Sequence, residues 1–280
     1  MLTRRSSRAS ATIRTKPGCG TGFRRLLAST LALVLLATAA HTESPEIAQR
    51  RATERKDFTD AEILDGFFKI TFGAEFHVAG RVDRIRKYDG PVRVYIDSRT
   101  SPDRTPEVAS VVADIRKRIR NLDISVTESR ARANMMVTLV RDRDLARTIR
   151  SFYGVARARR IQNSLEPQCL SGFRKDDNFR ILHSDVILVA DAGEFVFYDC
   201  VYEELLQALG PINDDASIPW SMFNDDVQMG FFGRYDQFLL NILYDPRIRP
   251  GMTRAEVEAV LPVVLPAVRA WIGELNSSAQ

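Results

Sequence analysis

Apolar positions along this chain follow two periods, one of three to four residues and one of two. Ile63, Leu64, Phe67, Phe68 and Ile70 predict a helix from Phe58, with Thr59 or Asp60 as its cap and Phe72-Gly73 as its end. Pro91 to Ile96 alternates at its start and reads as a strand. Val108, Val111, Val112, Ile115 and Ile119 form the stripe of a helix over Pro106 to Arg120, with Thr105 as cap. Leu122 to Val126 is a short strand and Met135 to Val140 a strong one. Arg143 to Gln162 is a basic helix, read as a solvated face. Ser184 to Ala190 is a buried strand, and Phe195 to Leu209 is helical at least from about Asp199. Helices follow over Asp236 to Leu243 and within Thr253 to Leu275, the last interrupted by Pro262 and Pro266. Residues 41–57 are polar and read as a flexible linker. The order predicts an α/β (α+β) fold, a single domain over 58–280 with a sheet subdomain to about 210 and a small helical subdomain after it.

Composition adds only a class. The chain has 280 residues, 45% apolar and 27% charged, an ordinary globular mixture. Its charge of +4 is uneven. Residues 1–39 hold seven Lys or Arg and no acid, which leaves 33 basic against 36 acidic side chains in the rest. The body therefore has no basic excess, and a nucleic-acid partner is not expected.

Leu26 to Ala40 is an apolar run ending in small residues behind a basic stretch. It is short for a membrane span and reads as a secretory signal over residues 1–40, cut near Ala39 or Ala40. An uncleaved amino-terminal anchor is the alternative. The mature chain has no second run of this kind, so no transmembrane span is expected there and the destination is the periplasm or the exterior. Two cysteines remain after the cut, Cys169 and Cys200. In an oxidising compartment they suggest one disulfide, with two separate buried thiols as the alternative.

The candidate chemistry sits in Tyr202 to Asp214, YEELLQALGPIND. On a helix Glu203 and Gln207 share a face, Glu204 lies one position around, and Gly210 breaks the helix with a positive φ. The turn then returns Asn213 or Asp214 toward that face. This pattern resembles the metzincin zinc-protease helix, H-E-x-x-H-x-x-G-x-x-H, with the general base at Glu204 and the glycine at Gly210. The ligand positions fall on Glu203, Gln207 and Asn213, and none is histidine. Ile218 to Phe223 resembles the Met-turn of that family, with Met222 as its methionine. The resemblance implies a zincin-like mixed sheet with an active-site-type helix.

A second resemblance is to a proteobacterial family, domain of unknown function 2927. It rests on FTDAEILDGFFKITFGAE from Phe58, on C-x-x-E-E-L-x-Q-x-L-G-x-x-N-D from Cys200 to Asp214, and on LYDPRIRPGM from Leu243 to Met252. It implies an exported or envelope protein and supplies no activity.

Zinc prefers imidazole and thiolate, so two amides and a carboxylate do not suit it. Glu203, Gln207, Asn213 and Asp214 suit a hard divalent cation such as calcium better, and weakly. His77 and His183 are the histidines clearly retained after the cut, and His183 is read as a surface or loop residue. Asp214, Asp215, Asp225 and Asp226 either ligate calcium or, as preferred, cap turns around Pro219 and Phe223. Phe231, Phe232 and Trp220 either line a pocket or, as preferred, pack in the core. The expectation is a degenerate, non-catalytic cleft with no cofactor, binding a peptide, glycan or envelope protein. The alternative is a metal-assisted hydrolase with Glu204 as base.

Overall fold

In the computed structural model, residues 43–73, 83–164, 168–211 and 213–277 are described. The signal-peptide expectation for residues 1–40 and His77 lie outside them. The described residues belong to one compact unit spanning Thr42–Gln280.

The polar segment read as a linker contains a helix, α1 (Pro45–Thr53). Ser44 caps it through the Ile47 amide, and Ile47 is buried. One buried side chain in a polar stretch leaves no periodicity to read, so the linker expectation is corrected over these nine residues. The helix α2 (Asp60–Thr71) starts on a full capping box between Thr59 and Glu62. It buries Ile63, Phe67, Phe68 and Ile70.

Strand β1 (Val92–Ser98), helix α3 (Thr105–Arg118), strand β2 (Ile124–Val126) and strand β3 (Met135–Val140) follow. Helix α4 (Asp142–Ser164) is broken at Gly154, whose φ is 75°. Strand β4 (Cys169–Lys175) has no counterpart in the sequence expectation. Strand β5 (Ile181–Val189) and helix α5 (Glu194–Gln207) complete the α/β layer. The five-stranded sheet has the order β2-β1-β3-β5-β4. β1, β2, β3 and β5 run parallel, and β4 pairs antiparallel with β5 at one edge. The α/β class is thus as expected.

Alternate strand residues face two different cores. Val137, Leu139, Val186 and Leu188 join the main core with α3 and α5. Val140, Ile187, Val189 and Leu170 pack under Leu145 and Ile149 of α4 on the other face.

Helices α6 (Arg234–Leu243) and α7 (Arg254–Ser277) close the chain. Pro262 and Pro266 do not interrupt α7, contrary to expectation. Both are exposed, so the carbonyls they leave unbonded face water. The α2 helix, expected with the sheet, packs on α6. Lys87 is buried, and its Nζ donates to the Leu243 and Ile248 carbonyls at 2.7 Å each. It therefore gathers the end of α6 and the loop after it. Burial lowers its pKa to about 8.

Cys169 and Cys200 form a disulfide that ties the β4 edge to α5 across 31 residues. The chain-entropy model assigns a loop of this size about 3 to 4 kcal/mol. The Cys169→Ser/Cys200→Ser variant should lose about that much unfolding free energy in urea and become insensitive to dithiothreitol. Equal stability of variant and parent would contradict the assignment.

Candidate functional site

The face of α5 that carries the motif lies between the β4 edge and the loop 211–233. The disulfide fixes one end of this arrangement. At the other end Ser171 Oγ donates to Gln207 Oε1 at 3.3 Å. The helix ends at Gln207, and Gly210 turns the chain with a φ of 141°. A Cβ at Gly210 would stand 2.2 Å from the Arg86 carbonyl oxygen, so the turn needs glycine.

Past that turn the returning loop meets α5 through acidic and amide groups. Gln207 Nε2 donates to both carboxylate oxygens of Asp214 at 3.0 Å. Carboxylate oxygens of Glu203, Asp214 and Asp225 lie within 4.8 Å of one another. Asp199, one turn before Glu203, accepts from the Met229 and Gly230 amides at 2.6 and 2.9 Å. Burial raises the Asp199 pKa, and these two bonds oppose the rise. Glu203 is pushed well above the usual carboxylate range, first by burial and then by the charges of Glu204, Asp214, Asp199 and Asp225. Glu204 itself is buried.

The structure thus brings Glu203, Gln207 and Asp214 together, as the spacing implied, and adds Asp225. It does not bring Asn213. The Asn213 side chain donates to the Lys69 carbonyl at 3.0 Å, at the end of α2. Gly73 allows this, because a Cβ there would sit 2.5 Å from the Asn213 side chain. Asp215 caps a turn by accepting from the Ser217 amide at 2.9 Å. His183 lies on β5 beside Asp185, with Nε2 3.0 Å from Oδ1. Phe231 and Phe232 are in the core, and Trp220 packs against Phe58 and Tyr235. A cavity of about 350 Å³ elsewhere, lined by Lys87, Tyr88, Asp89, Asp123, Tyr244 and Arg249 among others, includes none of Glu203, Asp214 and Asp225.

The donor set does not fit zinc. It has no imidazole, and the Gln207 amide points its nitrogen at Asp214. Three oxygen donors match a hard cation by type alone.

Met222 is buried within this loop. Asp236, fully buried in the first turn of α6, accepts from Ser221 Oγ at 2.5 Å and from the Met222 amide at 3.1 Å. Asp199 and Asp236 were missed as holding residues. Asp199 was within reach, being four residues before Glu203 on the same helix face. Asp236 gave no signal, because its partners are 14 and 15 residues away in sequence.

These features define an α/β protein with a mixed sheet and a site helix whose face is acidic. Residues 60–263 match the family described as a protein of unknown function, DUF2927, and the chain belongs to that family. No curated protein and no solved structure matches. Among the described residues no helix is long and apolar enough to cross a membrane.

Burial raises the Asp236 pKa to about 7. A carboxyl raised on folding is best tolerated when protonated, so its cost is absent below about pH 4 and grows up to about pH 7. Asp236→Asn keeps one acceptor and one donor for the turn. Relative to the parent, the variant should gain stability between pH 4 and 7, by up to about 4 kcal/mol. A difference that stays flat with pH, measured by urea unfolding, would refute the raised pKa.

Proposed function

We propose that this is an exported protein whose degenerate metalloprotease-like site binds an extended peptide segment of an envelope protein without cutting it. The observation that carries this is the commitment of the ligand positions. Gln207 is bonded to Asp214, Asn213 is turned to α2, and burial with the neighbouring carboxylates holds Glu203 well above the usual carboxylate range. Without a strongly held metal, no water at this site is brought near neutrality for attack. The basic and apolar residues 1–40 support export.

The β4 edge supports the peptide. Among the described residues nothing pairs with its outer side. The Val189 amide donates to the Gln168 carbonyl. Alternation from that pair turns the backbone groups of Ser171 and Phe173 outward. An extended chain added there gains main-chain hydrogen bonds beside the acidic face of α5. The order of mixed sheet, site helix, glycine turn and buried methionine turn supports the metalloprotease-like ancestry.

The second reading is metal-assisted hydrolysis with Glu204 as base. It is favoured by the mutual approach of the Glu203, Asp214 and Asp225 carboxylates.

Peptides selected on the protein from a randomised library should be recovered intact by mass spectrometry. Phe173→Pro removes one outward amide and should bind at least tenfold more weakly than Phe173→Ala, which loses the same ring and keeps the amide. Glu204→Gln should change nothing. Cleavage of the peptides, abolished by Glu204→Gln and by a chelator, would establish the hydrolase instead.

A further inference from the structure

Beyond residues 1–39, the strongest charge asymmetry lies outside the α5 site. Residues 141–160 carry seven arginines and two aspartates, a charge of +5. The rest of residues 40–280 holds 26 basic against 34 acidic side chains, a charge of −8. All of these arginines but Arg141 belong to α4, the helix that covers the face of the sheet opposite α3 and α5.

Leu145, Ile149, Ala158 and Ile161 anchor α4 on the sheet. Four of the arginines turn away from that contact. Arg143 and Arg147 expose 73% and 75% of their side chains, and Arg150 and Arg159 are exposed as well. Asp144 pairs with Arg147 at 2.6 Å and stands 4.0 Å from Arg143. No carboxylate pairs with Arg150 or Arg159 among the described residues. Phe152 and Val155, on either side of the Gly154 break, are 38% and 63% exposed. An exposed aromatic ring is favourable at a lipid interface.

We infer that α4 is a docking face for a membrane surface rich in anionic phospholipid. Its 23 residues give roughly 35 Å of helix in two pieces, a long basic strip on the outside of the sheet. Arginines near an anionic leaflet attract it in proportion to their number. The negative remainder is repelled, so the field orients the molecule with α4 toward the lipid. Phe152 and Val155 then enter the headgroup boundary. An acidic protein partner would match the cations and would leave these two apolar side chains in water.

The full chain is mixed with vesicles of phosphatidylcholine, with and without an equal part of phosphatidylglycerol. The parent should partition at least tenfold more strongly onto the anionic vesicles, and raised salt should reverse this. Hydrogen exchange on the vesicles should slow within residues 142–164. The Arg143→Gln/Arg147→Gln/Arg150→Gln/Arg159→Gln variant should lose at least tenfold in partitioning. Phe152→Ser/Val155→Ser should lose part of the binding that survives in salt. Residues 1–40 are common to all the proteins, so the differences report α4. Unchanged partitioning of the arginine variant at unchanged melting temperature would overturn the inference. So would protection confined to residues outside α4. Protection of α4 by polyglutamate but not by vesicles would assign the face to an acidic protein and overturn it too.

Discussion

The site depends on how loop 211–233 is held against α5 and α6. Three acidic side chains and one amide do this work: Asp199, Asp214 and Asp236 accept hydrogen bonds, and Gln207 donates them. Buried carboxylates are costly unless hydrogen-bonded, and here backbone amides supply most of the donors. Breaking the contacts of Asp199 or Asp236 leaves a buried carboxylate short of a donor. The loop is therefore fixed in place, and with it Asp225 and Met222. The same fixation decides the chemistry. A Gln207 bonded at both Asp214 oxygens orients its amide for the loop and not for a metal.

The sheet serves this arrangement from the other side. Its antiparallel edge strand reaches α5 through the disulfide at Cys169 and through Ser171. The fold thus places an edge with outward backbone groups next to an acidic helix face. Lys87 and the aromatic group of Phe58, Trp220 and Tyr235 secure the C-terminal helices that carry Asp236.

Elements with a sustained period were legible in the sequence. The stripe of α3, the largely apolar run of β3 and the cap of α2 each left a local signature. Strand β4 did not, because Leu170, Gly172 and Phe173 give no clean alternation and Gly172 leaves room for Tyr153 of α4. The prolines of α7 misled, since both lie on its exposed side, where water can solvate the carbonyls they free. At the site, the spacing of Glu203 and Gln207 and the glycine turn were local facts and held. Asn213 failed because its partner, Lys69, is 144 residues away. Asp225 entered because the loop folds back over the helix, a long-range event with no local cue.

The most direct test of the central claim is a zinc and calcium titration of the purified protein, followed through the side-chain amide signals of Gln207 by NMR. The account predicts no stoichiometric zinc, and Gln207 signals that stay in place because the amide remains bonded to Asp214. One equivalent of bound zinc that shifts those signals and starts peptide hydrolysis would contradict it.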